Sequence, residues 1–337
     1  MGFYQIMAGE ADCIMAGGAD CMSAAPHMVF GVRNGKRYGH MELRDSMWDS
    51  LTNLGVGPAM GITAENVADA YGVSREDMDR YALLSQQRAA AAIDAGKFLD
   101  EIVPVTVPTR QGDTVVSTDE YPKRDTTVEK LSRLKPSFRE GGKVTAGNSS
   151  GMNDAASGVL LMEEKLARRL GAPILAQVVS TATTGVPPEL MGIGPISATQ
   201  KTLAKAGLTV GDMDLFEINE AFAAQCVACQ RTLGIDMDKL NVNGDGISLG
   251  RHRGADRHLP AVRAETPGRP VRRDHPVRRR HGYRRPHRSV QGGLNCGGFA
   301  QFAAETQQAC GSATPKPPIR RRDGPFPCEK IGIGLRI

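Results

Sequence analysis

Val-Thr-Ala-Gly-Asn-Ser-Ser-Gly-Met-Asn-Asp-Ala-Ala-Ser, residues 144–157, decides how this chain is read. Two glycines, four hydroxyl residues, two asparagines and one aspartate stand ahead of an Ala/Leu-rich run. Such a segment cannot supply a hydrophobic core. It supplies close backbone approach, local turn hydrogen bonds and an anion-accepting helix start. The run after it is read as a helix over Ala155–Leu170.

On either side of this stretch, strand and helix patterns alternate. Asp12–Ala16 before Gly17-Gly18 reads as a buried strand ending in a tight turn, and Thr63–Tyr71 as a short helix. Ser74 with Asp77 three residues on forms a capping box, opening a long amphipathic helix to Ala95 that Gly96 ends. Glu101–Val107, Thr114–Ser117 and Ile174–Ser180 read as strands. Ser197–Ala206 is a helix stopped by Gly207, and Leu215–Ile218 is a strand running straight into a helix over Glu220–Leu233. Residues 24–59 show no clear period.

Further motifs flank the opening stretch. Before it lie Met60-Gly61-Ile62-Thr63-Ala64-Glu65-Asn66 and Leu134-Lys135-Pro136-Ser137-Phe138. After it come Gly185-Val186-Pro187-Pro188, Met191-Gly192-Ile193-Gly194-Pro195, Phe216-Glu217-Ile218-Asn219-Glu220-Ala221-Phe222-Ala223 and Asn241-Val242-Asn243-Gly244. In this order and spacing the set resembles the thiolases, the acetyl-CoA acyltransferases, from about Gln5 to Gly250. Within that family it looks closest to members that cleave 3-ketoacyl-CoA or condense acetyl-CoA.

The resemblance implies an α/β fold: a layered αβαβα core with an inserted loop domain, incomplete at both ends. It implies a remnant of the N-terminal core over 1–24, the inserted loop domain over 25–142 and a return to that core over 143–172. The start of a C-terminal core follows over 173–250, then a basic tail over 251–337 expected to be disordered. Half-built cores should leave sheet edges and apolar faces uncovered, which predicts aggregation or partial disorder.

The resemblance also implies the chemistry, a reversible thioester Claisen reaction of fatty-acid metabolism with coenzyme A as substrate and no further cofactor. Asn219 is expected to orient a water toward a thioester oxygen. On the residues alone it reads equally as the N-cap of the next helix. Glu220 reads either as a helix-start carboxylate or as the partner of a catalytic histidine. Phe138, Ala146 and Ser150 match positions along the pantetheine and adenine path, and Met60 and Phe222 match positions bordering the acyl pocket. Lys123 and Arg124 fall where a basic side chain lies near the adenine and phosphates. As bare residues, Ser150 is a turn hydroxyl, Met60 and Phe222 are ordinary core, and the basic pair is solvated surface. Short-chain biosynthetic members often carry a histidine directly before Met-Gly. Ala59 stands there, which favours a longer or less polar acyl chain, as in β-oxidation.

The family's reactive groups are not where its pattern puts them. The nucleophilic cysteine is expected upstream of Met1. Arg251 follows Gly250 where the pattern has a histidine, and Cys296-Gly297-Gly298-Phe299 is not accepted as the second cysteine motif. Turnover by this chain is therefore not expected.

Charge breaks at the same place. Residues 251–337 carry 17 Arg and 2 Lys against 6 acids, a balance of +13, whereas residues 1–250 balance at −8. Residues 251–290 hold thirteen arginines and five of the seven histidines, with no visible periodicity. A reading-frame change near Gly250 explains this, since the codons open to Arg251–His258 permit Gly-Ile-Gly-Ala-x-Thr-Gly-Thr one base later. The alternative is a genuine basic segment that binds nucleic acid or another polyanion. A binding module for acyl-CoA or for an intact thiolase subunit is a third reading.

At 337 residues the chain can hold two domains. No apolar run approaches a membrane span and no signal segment opens it, so the cytoplasm is the expected location. Seven irregularly spaced cysteines argue against a disulfide framework. Cys226-Val227-Ala228-Cys229 falls in a helix without a second pair, which favours buried thiols over a metal or redox site. The family resemblance implies a homo-oligomer.

Overall fold

A computed structural model describes residues 1–250 except 37, 53, 54 and 56, together with the backbone of 289–291 and 331–334. In chain order the elements are α1 (Gly2–Met7), β1 (Cys13–Asp20), β2 (His27–Val29), β3 (Leu43–Asp45), α2 (Ser46–Thr52), α3 (Met60–Ala70) and α4 (Arg75–Asp94). Next come β4 (Val105–Thr109), β5 (Gly112–Val116), α5 (Val128–Ser132), β6 (Ala155–Glu163), α6 (Glu164–Leu170), β7 (Ala176–Gln177) and α7 (Gly194–Ala206). The last are β8 (Leu215–Glu217), α8 (Ala223–Leu233), β9 (Ser289–Gln291) and β10 (Ile331–Gly334).

The capping box forms as its spacing predicts. Ser74 Oγ accepts from Asp77 N at 3.1 Å and Asp77 Oδ2 accepts from Ser74 N at 3.3 Å, which satisfies two orphan donors at the start of α4. The helix then runs twenty residues. It packs on α8, as does α3, and their shared core includes Val67, Met78, Tyr81, Phe216, Ile218, Ala224 and Val227. This helical layer carries the site described below.

The largest correction concerns the run after the polar stretch. Ala155–Glu163 is not helix but β6, and only Glu164–Leu170 is helical. β6 pairs antiparallel with β1 over eight residues, from Cys13 opposite Met162 to Asp20 opposite Ala155. Ala, Leu and Met favour helix locally, but ladder pairing and packing outweigh a few tenths of a kcal/mol per residue. Gly17 stands opposite Gly158, and a Cβ on Gly17 would lie 2.7 Å from the Ser157 carbonyl oxygen, so the two backbones approach as only glycine allows there. The polar stretch therefore feeds a strand, and its reading as an anion-accepting helix start falls.

Smaller corrections follow. The strand read over 174–180 is reduced to Ala176–Gln177, and α8 begins at Ala223 rather than Glu220. The stretch 24–59 contains β2, β3 and α2. The sheet order is β1-β6-β10-β7, and β9 pairs parallel with β8. The tail expected to be disordered thus supplies two short strands; the rest of 251–337, with Arg251–Gly254 and Cys296–Phe299, lies outside the described residues.

β1 alternates half-buried and exposed residues, with Met15 61% exposed, and pairs on one side only among the described residues. Among the described residues, no helix is long and apolar enough to cross a membrane.

Candidate functional site

The stretch 144–150 is held from beneath by three buried polar side chains. Glu65, wholly buried on α3, accepts from the backbone N–H of Lys143 and of Val144, each at 2.9 Å. Asn148 Oδ1 accepts from Thr145 N at 2.8 Å, while Asn148 Nδ2 donates to Asp79 Oδ1 at 3.0 Å. Asp79 in turn accepts from Arg75 Nε at 2.8 Å. Buried donors and acceptors pair because leaving one unpaired costs about 1–3 kcal/mol. The loop is therefore rigidly seated on α3 and α4.

The same loop is laced to the turn before α8. Ser150 N donates to the Ala221 carbonyl at 3.0 Å, Ala223 N donates to the Asn148 carbonyl at 2.9 Å, and Ser149 bridges antiparallel to Phe222. Ser150 Oγ also donates to the Ala221 carbonyl at 2.9 Å. Phe222 is the N-cap residue of α8 and brings no capping side chain. Asn219 is thus not the cap of that helix, and the bland reading of its amide is removed.

Aromatic packing defines one wall. The Phe138 and Phe222 rings meet edge-to-face with centroids 6.1 Å apart. Phe138 lies over Gly61, where a Cβ would fall 2.1 Å from the ring, so α3 and the ring touch only because residue 61 has no side chain. Met60 beside it is partly buried against the core, and Phe138 is 39% exposed. The structure brings Met60, Phe138, Ser150 and Phe222 into one neighbourhood, with Asn219 three residues before Phe222.

Lys123, Arg124 and Ala146 sit farther out. Lys123 Nζ lies 5.5 Å over the Tyr121 ring, and that ring packs against Gly151. The Lys123 side chain is exposed, near the outer edge of the polar stretch. Arg124 is engaged elsewhere, in a two-pronged pair with Asp94 at 2.9 and 3.0 Å. Ala146 is exposed on the loop.

Beneath Asn219 lies a polar network that the sequence does not announce. Glu220 is wholly buried. Its Oε1 accepts from Tyr81 Oη at 2.9 Å and Asn241 Nδ2 at 3.2 Å, and its Oε2 accepts from Ser85 Oγ at 2.6 Å and Ile247 N at 3.2 Å. Glu220 N donates to Asp245 Oδ2 at 2.9 Å. Burial, reinforced by the Asp245 charge, pushes the Glu220 carboxyl up to about 7 against the pull of its hydrogen bonds. Glu220 is therefore neither a helix-start carboxylate facing water nor a surface group. Gly250 N donates to Asp119 Oδ2 at 2.8 Å, which fixes the end of this segment. Tyr81, Ser85, Asn241, Asp245 and Asp119 were not identified from the sequence, although Asn241 belongs to a quoted motif.

Both cysteines of α8 are buried; Cys226 Sγ faces the Asn219 carbonyl at 3.8 Å and Cys229 Sγ the Gly192 carbonyl at 3.6 Å. Burial pushes the Cys226 thiol up strongly and the Cys229 thiol up to about 12, so both are inert structural thiols. Among the described residues, no cluster of His, Cys, Asp or Glu could hold a metal ion.

Comparison with known proteins shows the family and the fold. The family described as thiolase, N-terminal domain matches residues 1–165, and thiolase, C-terminal domain matches residues 172–257. Acetyl-CoA acetyltransferase of Pseudomonas aeruginosa is 50% identical over 261 residues, covering 76% of this chain and 65% of that protein. Its counterpart in Chromobacterium violaceum is 53% identical over 252 residues, covering 74% and 64%. Among solved structures, human mitochondrial 3-ketoacyl-CoA thiolase superposes with a TM-score of 0.72 at 44% identity, covering 75% of this chain and 64% of that one. The same human enzyme in complex with CoA gives 0.70 at 44% identity, covering 74% and 62%. The chain spans just under two thirds of the length of the curated relatives it matches.

Proposed function

The chain belongs to the thiolase family, and on that premise we propose that its described part holds a coenzyme A thioester for acyl transfer. The reaction is thiolytic cleavage of a 3-ketoacyl-CoA or the reverse Claisen condensation. A cysteine sulfur carries the acyl group, a second sulfur moves a proton at the α-carbon, and fixed donors stabilise the thioester oxygens.

One observation carries this reading: the lacing of 148–150 onto the Asn219–Ala223 turn, which brings a neutral amide, a hydroxyl and two aromatic rings together. Asn219 orients a water toward a thioester oxygen. A neutral amide does this without competing for the proton. Met60, Phe138 and Phe222 border the acyl and pantetheine groups. Ser150, Ala146 and Lys123 follow the coenzyme outward, with Lys123 as the cation nearest its phosphates because Arg124 is spent on Asp94. Ala59, the residue before α3, supports a longer or less polar acyl chain, as in fatty-acid β-oxidation. The cytoplasm and a homo-oligomeric state complete the proposal.

We further propose that the polypeptide of residues 1–337 binds without turning over. Arg251 follows Gly250 in place of a histidine, and neither thiol of α8 is a usable nucleophile. The test is calorimetric titration of the pure protein with acetyl-CoA, beside thiolysis assays on acetoacetyl-CoA and a longer 3-ketoacyl-CoA. Saturable binding with no turnover is expected. Turnover above buffer background overturns the inactivity, and absence of binding overturns the thioester reading.

A further inference from the structure

Glu220 gathers donors from separate parts of the chain. Tyr81 and Ser85 reach it from α4, 139 and 135 positions away, and Asn241 and Ile247 reach it from the segment after α8. An ionised carboxylate has room for about four donors, and this one receives four. Its own backbone N–H is spent on Asp245. The 241–250 segment also presses on the neighbouring residue: a Cβ on Gly246 would stand 3.2 Å from Asn219 Oδ1 and 3.1 Å from the Glu220 carbonyl oxygen. Asn219 therefore sits on a platform whose parts meet at one buried carboxyl.

We propose that Glu220 is a positioning residue: its carboxyl pins the Asn219 turn to α4 and to the 241–250 segment, and so fixes where the Asn219 amide is presented to a thioester oxygen. Only the last clause rests on the coenzyme A thioester reading. The pinning itself stands on the geometry.

Three titratable groups face this carboxyl: Tyr81 from α4, Cys226 from α8 and Asp245 from the 241–250 segment. Burial pushes the Tyr81 hydroxyl and the Cys226 thiol upward, so both stay neutral near pH 7. Ionising Glu220 favours any opening that returns it to water, so the turn opens more readily as pH rises toward 7. The Ser85 hydroxyl, 2.8 Å from Ser248 Oγ, can reverse toward Ser248 when Glu220 holds a proton. Ile247 N–H and the Asn241 amide cannot reverse.

The test is hydrogen exchange of the full chain from pH 5.5 to 8.5, corrected for the intrinsic rate, with acetyl-CoA titrations under the same conditions. Wild-type protection over 216–223 and 241–250 should fall together as pH rises through about 7. Glu220→Gln should lower protection in both segments by about ten- to hundredfold at low pH, the size expected when buried donors lose their acceptor, and flatten the pH profile. Ser85→Ala should weaken both segments less, and it carries the test with the wild-type pH series if Glu220→Gln does not fold. Wild-type protection that ignores pH, or segments that respond independently, overturns the pinning. Coupled segments without acetyl-CoA binding at any pH would sink the thioester reading and leave the pinning standing. Acetyl-CoA affinity unchanged in both variants would do the reverse for the positioning of Asn219.

Discussion

The Asn241 side-chain amide stands opposite the backbone of Ile218 and satisfies both of its polar groups. Asn241 Oδ1 accepts from Ile218 N at 2.8 Å, and Asn241 Nδ2 donates to the Ile218 carbonyl at 2.7 Å. Ile218 follows the last residue of β8, so the amide extends the ladder that the Phe216–Leu240 bridge begins. Asn241 does this at φ 44°, a left-handed backbone that asparagine tolerates better than most residues. Asn241→Ala strands two buried backbone groups and retains the unfavourable φ. We predict a loss of about 2–4 kcal/mol in urea unfolding, from the unpaired groups and the strain together.

Glu220 makes stability depend on pH. Its carboxyl titrates at about 7 in the folded chain against an ordinary value of 4.5. The folded state therefore holds the proton more tightly than the unfolded state. The associated stability is fully present below 4.5 and is lost as pH rises through about 7. Thermal unfolding of wild type should weaken across that window, and the difference between wild type and Glu220→Gln should narrow as pH rises. A difference that widens with pH contradicts the raised carboxyl.

Gly61→Ala tests the aromatic wall. The new methyl would fall inside the Phe138 ring, which must swing away from Phe222. Because Phe138 is part-exposed it can move, so the cost should be at the lower end of overpacking, about 1–2 kcal/mol. Acetyl-CoA affinity should fall with it. Unchanged affinity in a folded Gly61→Ala protein would remove Phe138 from the binding surface.

Cysteine accessibility separates surface from core. Cys13 and Cys21 are exposed, whereas Cys226 and Cys229 are buried in α8. Alkylation of native protein followed by peptide mapping should label Cys13 and Cys21, and reach the α8 pair only after denaturant is added. Native labelling of Cys226 would show that α8 does not pack as described.

The readable parts of the sequence were those whose cause is local. Ser74 and Asp77 are three residues apart, so their capping box and the helix behind it could be read directly, as could the stop at Gly207. The ordered motifs likewise carried the family and its α/β fold, because each is a short run with its own spacing.

What local reading could not supply was set across long separations. Ala155–Glu163 has helix-forming composition and became a strand because β1, over a hundred residues earlier, offered a matching ladder. Glu220 was ambiguous beside Asn219 because its partners lie on α4 and in the 241–250 segment, and burial among them raises its carboxyl to about 7. Sequence alone determined the capping box at Ser74, the stop at Gly207 and the ordered motifs that carry the family. Tertiary structure alone decided which backbone paired with which and where charge was buried, since hydrogen bonding and desolvation depend on distance in space rather than along the chain.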